Sequence, residues 1–212
     1  MNPPTRPFID IRYGNFLAPI FNAYVSQDGV SADEGIDMSD ARFGREEILG
    51  RIAAQKEAWL PFEERIVNGI QEVLGVTFSE NRIPVYIVPA HEGAFSDPLV
   101  MSSLVPPDEF VDILAHELIH RLVLCNAEHI PYRKAIAAVL PCVDKPPVFN
   151  HVFVHAVHSA LYLDVLKAPE RLLRDIRSCD AWPAYKRAWE IVQERGYKEL
   201  IRDFKKAFAD LS

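Results

Sequence analysis

The stretch Asp112-Ile113-Leu114-Ala115-His116-Glu117-Leu118-Ile119-His120 decides how the rest of the chain is read. With Phe110, Val111, Leu122 and Val123 around it, the segment is apolar on nearly every side, as a helix at the centre of a protein is. Pro106-Pro107-Asp108-Glu109 supplies the helix start, with proline and acids in the first turn. A helix turns about 100° per residue, so His116 and His120 face the same way, one turn apart. Two imidazoles at that spacing can grip one zinc ion from the same side. Glu117 is rotated partly off that direction and can reach a water molecule beside the metal, which suits a general base. Two histidines and a glutamate on a buried helix are costly without a partner, and a metal supplies one.

This H-E-x-x-H segment resembles the active-site helix of the zincin-type zinc metallopeptidases. The metzincin branch would have Gly at 123 and His at 126, where this chain has Val123 and Asn126. The chain is more similar to the gluzincin branch, whose third ligand comes from a second helix further on. Arg121 is a departure, because the residue after the second histidine is usually uncharged there. The resemblance implies a zinc-dependent hydrolase of peptide bonds, with one catalytic zinc (Zn2+) and water activated by Glu117. It also implies that the strand before the helix, 98–104, is an exposed edge holding an extended peptide or unfolded protein segment by backbone pairing.

The second apolar helix, Val148 to Leu166, carries His151, His155 and His158 at offsets of four and three, which puts them on one face. Gluzincins commonly place a Glu after an Asn on this helix, and here Asn150 is followed by His151. His155 lies deeper in the apolar run, and Ala156 beside it allows a close helix approach. As third ligand His155 ranks first, His151 close behind and His158 third. The remaining histidine is expected to hydrogen-bond a ligand or line the cleft. Tyr162 returns to the same face and could donate to an oxyanion, with Tyr132 and Arg133 as rivals for that role. Asp112, one turn before His116, could orient an imidazole. Cys125, His91 and His129 are weaker candidates.

The rest of the sequence sets the frame. A chain of 212 residues with 49% hydrophobic and 25% charged residues suits a single globular domain, 1–212, with 169–212 as a helical C-terminal tail. A net charge of −7 without a basic cluster argues against a nucleic-acid partner and weakly against acidic peptides. No apolar run reaches membrane-spanning length, and no apolar leader follows Met1. Cys125, Cys142 and Cys179 are odd in number and widely spaced, as in a cytoplasmic protein with reduced thiols. The oligomeric state is not legible. A strand then a short helix are expected over 7–25, a loop over 26–44, helices over 45–58 and 61–74, and strands over 82–89 and 98–104. The prolines of the first of these two strands suit an edge or a strand end. Short helices follow at 132–139, 169–178, 183–195 and 197–209. The fold class is α+β, zincin-like: a small mixed sheet, an edge strand before the buried helix, and helical N- and C-terminal segments. Two rivals to an enzyme stand open: a non-catalytic zinc-binding regulatory or interaction protein, and a structural zinc closed by a fourth ligand such as His158.

Overall fold

The computed structural model describes residues 6–19, 44–89, 93–128, 130–141 and 146–211. Nearly all of the loop expected from Ser26 to Gly44, together with His91, His129 and Cys142, lies outside them. The described residues form a four-stranded sheet and eight α-helices, an α+β architecture.

Strand β1, Phe8–Tyr13, runs parallel to β2, Arg82–Val88, with partners from Phe8↔Arg82 to Tyr13↔Ile87. Strand β4, Leu99–Ser102, lies parallel on the other side of β2, from Tyr86↔Val100 to Val88↔Ser102. Strand β3, Ala94–Ser96, is antiparallel to β4, and the order is β1-β2-β4-β3. Pro84 sits in the part of β2 that pairs only with β1, below the point where β4 begins at Tyr86. An interior strand tolerates proline there because no second ladder asks for its missing N–H.

The expected edge strand is an interior one. Strand β4 is flanked by β2 and β3, and all four of its residues are buried. The run Leu99-Val100-Met101 lacks polar alternation, which marks a strand covered on both faces. The three-residue β3 is too short for a periodic signal, and it takes the edge position that the sequence suggests for β4.

Contacts gather the chain into two compact units. The unit of Pro7–Glu63 and Glu80–Glu117 holds the sheet and helix α1, Arg45–Trp59. Ile48, Ile52, Gln55 and Trp59 are the buried positions of α1, at helical spacing. The helix contacts β1. Gln55 is 1% exposed and donates through Nε2 to the carbonyls of Ser102, 3.1 Å, and Val105, 2.9 Å. It thereby ties the link from β4 to helix α3, Pro107–Cys125, to α1 through two buried hydrogen bonds.

The unit of Glu64–Ser79 and Leu118–Ser212 is helical. Helix α2, Glu63–Leu74, ends at Gly75, whose φ of +71° suits glycine and whose N–H donates to Gln71 O at 2.7 Å. Helix α5, Pro146–Ala160, continues into a π-helical turn at Leu161–Leu166. It packs on α7, Pro183–Arg195, and α8, Tyr197–Leu211. Phe153 of α5 meets Phe204 edge-on at 5.0 Å and Tyr132 of α4, Tyr132–Val139, at 5.2 Å. Burying each such ring contributes about 1.5–3 kcal/mol. Helix α6, Pro169–Ser178, opens with proline at its start. No described helix is long and apolar enough to cross a membrane.

The interior position of β4 makes a clear prediction. Val100→Pro removes a ladder donor from a strand paired on both sides, and a loss on the order of 3 kcal/mol is expected. Thermal unfolding should show a Tm lowered by many degrees; a Tm within experimental error of wild type would place β4 outside the paired sheet.

Candidate metal centre

Helix α3 presents His116 and His120 one turn apart, as the sequence spacing requires. His151 completes a set with them: the three offer one nitrogen each, all within 4.8 Å of one another. Tetrahedral zinc with bonds of about 2.1 Å places its nitrogens about 3.4 Å apart, a spacing small imidazole rotations can reach from that range. The donor set therefore fits the ion. The ring of His151 stands 5.5 Å from that of His120 and nearly perpendicular to it.

Electrostatics favours ligation. Burial pushes the His120 pKa down to about 3, helped by the neighbouring His151 and His158. His155 is also held well below its ordinary value, first by burial and then by His151. Imidazoles kept neutral retain the lone pair a metal needs. Glu117 is 9% exposed, and burial pushes its carboxyl up to about 8. A cation alongside would favour its ionised form.

The three histidines of α5 do not share one destination. His151 turns to His120, and its ring packs 3.8 Å from that of Tyr185 on α7. His155, fully buried, stacks on Trp189 at 4.2 Å and 11° and falls in a second set with Asp175 and Cys179. His158 points Nδ1 toward Asp175 Oδ2, 3.6 Å away, and packs on Tyr162 at 4.5 Å. The structure thus brings His151 to the α3 pair, whereas the sequence ranking put His155 first.

The other candidates are placed as follows. Tyr162 is fully buried beside His158. Tyr132 directs its hydroxyl to Asn150 O at 3.4 Å, and burial holds that phenol above its usual range. Arg133 is exposed, and Asp112 is buried. Cys125 is half-buried, with Sγ 3.4 Å from Leu122 O. Cys179 is buried, and burial with the Asp175 carboxylate pushes its thiol up to about 12. Tyr185 was not singled out by sequence, because it lies in the helical tail between Trp182 and Trp189, where an aromatic reads as packing. Its one available signal is the i,i+4 spacing of Tyr185 and Trp189, which matches that of His151 and His155.

The carboxyl and the imidazole shifts act in opposite directions on stability in the metal-free protein. Between its ordinary 4.5 and about 8, Glu117 holds a proton in the folded chain that the unfolded chain has released, so stability falls as pH rises. Between about 3 and the ordinary 6.5, His120 is neutral when folded and charged when unfolded, so stability rises with pH. Above pH 6.5 the imidazole effect fades and the Glu117 effect dominates. Chelator-treated protein should therefore lose Tm from pH 6.5 to 8, and Glu117→Gln should flatten that fall; an identical slope in the variant would contradict it.

Compared with protein-family models, curated proteins and solved structures, the chain matches none.

Proposed function

We propose that the chain is a zinc-dependent hydrolase of peptide bonds. The observation that carries this reading is the convergence of the His116, His120 and His151 nitrogens, with Glu117 next to the first of them on the same buried helix. These three histidines would hold the ion, and when bound it would supply a Lewis acid that polarises a carbonyl and acidifies water. Glu117 takes a proton from water as the hydroxyl adds to the carbonyl carbon. It returns that proton to the amine nitrogen as the C–N bond breaks, so the carboxylate is regenerated. Tyr185, whose ring packs on His151, is the phenol positioned beside a ligand, which favours it over Tyr162 as the donor to the carbonyl oxygen. The substrate class is an extended peptide or unfolded segment. With β4 interior, strand addition falls to β3, the last strand at that end of the sheet.

Two variants test the reading together. His116→Ala should lose zinc from the α3 set, measured by elemental analysis of protein purified without added metal. Glu117→Gln should keep that zinc and lose hydrolysis of unstructured peptides by roughly 10²–10⁴-fold. Undiminished cleavage by Glu117→Gln would exclude the proposed base. Zinc retained with no cleavage in wild type across a peptide library would favour a binding protein instead.

A further inference from the structure

A second set of metal-ligating side chains stands apart from the one on α3. His155 on α5, Asp175 on α6 and Cys179 just beyond it each bring one ligand atom within 4.8 Å of the other two. The site is enclosed: His155 is 0% exposed, Cys179 7%, and the Asp175 side chain 12%. Asp175 and Cys179 are four apart, so one helical turn presents both in the same direction. Trp189 lies flat on the His155 ring at 4.2 Å and fixes its plane. His158 Nδ1 stands 3.6 Å from Asp175 Oδ2, beside the set.

As core filling, this combination is poor. An imidazole, a carboxylate and a thiol converge in a volume where apolar side chains would cost less. A carboxylate beside the thiol also opposes its ionisation. A divalent ion of borderline softness reverses both penalties, because it accepts nitrogen, oxygen and sulfur donors together.

We propose that His155, Asp175 and Cys179 form a second site, for a zinc-class divalent cation. Loading the site releases the Cys179 proton to solvent, and the thiolate becomes the sulfur ligand. The site does not depend on peptide hydrolysis or on occupancy of the α3 set.

Cobalt(II) separates the two sites, because the α3 set holds no sulfur. Metal-free wild-type protein titrated with cobalt(II) should develop a sulfur-to-cobalt charge-transfer band in the near ultraviolet. The chain has three cysteines, so Cys125→Ala with Cys142→Ala leaves Cys179 as the only thiol, and the band should persist in that protein. It should survive His116→Ala with His120→Ala and vanish in Cys179→Ser. Asp175→Asn should weaken cobalt binding at this site by roughly tenfold or more. Absence of the band from folded wild-type protein overturns the proposal without any variant. A band that survives Cys179→Ser in the otherwise wild-type chain overturns it as well, because the sulfur then comes from elsewhere.

Discussion

Polar side chains buried inside apolar helices set the terms for everything else in this molecule. An imidazole removed from water resists protonation, and a carboxyl removed from water resists losing its proton. On α3 and α5 both effects operate within a few residues. His120 and His155 are held neutral, and Glu117 is held toward its neutral form. The same desolvation that makes these residues expensive prepares the histidines as donors, because a neutral ring offers its lone pair without first releasing a proton. Apolar packing around α3 and α5 therefore governs the protonation of these side chains as well as the stability.

Hydrogen bonds anchor the chain at each end of α3, each within its own unit. Before its first residue, Gln55 binds the carbonyls of Ser102 and Val105. Past its last turn, Asn126 donates to Thr77 O at 2.9 Å and Leu122 O at 2.8 Å, while Ser79 donates to Cys125 O at 2.8 Å. Asn126 occupies the place where a metzincin histidine would stand, and here it closes the helix end instead. The helix backbone itself keeps His116 and His120 at their one-turn spacing.

Much of this was readable from the sequence. The helix at 107–125 was marked by proline and acids at its start and by apolar residues all round. The helices at 132–139, 169–178 and 183–195 fell between proline and glycine signals that act locally. What the sequence hid was set by long-range contacts. Strand β3 has three half-buried residues and owes its existence to β4 alongside it. The three histidines of α5 share a face by spacing, yet their close ring neighbours differ: Tyr185 for His151, Trp189 for His155 and Tyr162 for His158. Spacing fixes direction within a helix, and it carries no information about what the neighbouring helix presents at each turn.

The match between α5 and α7 explains why two adjacent histidines part company. His151 and His155 are one turn apart, as are Tyr185 and Trp189, and the rings pair in that order at 3.8 and 4.2 Å. Each aromatic packs most closely on one imidazole, which favours the placement of His151 toward His120 and of His155 toward Asp175 and Cys179. The two sets then differ in charge. Three neutral imidazoles would leave a divalent ion with its full positive charge, a strong attraction for a carbonyl oxygen or a carboxylate. Imidazole with carboxylate and thiolate would cancel that charge within the protein, leaving little pull on an outside group. The first arrangement suits an electrophilic centre, and the second suits a stabilising clasp between α5 and α6. By splitting its histidines, helix α5 can contribute to both kinds of chemistry from consecutive turns.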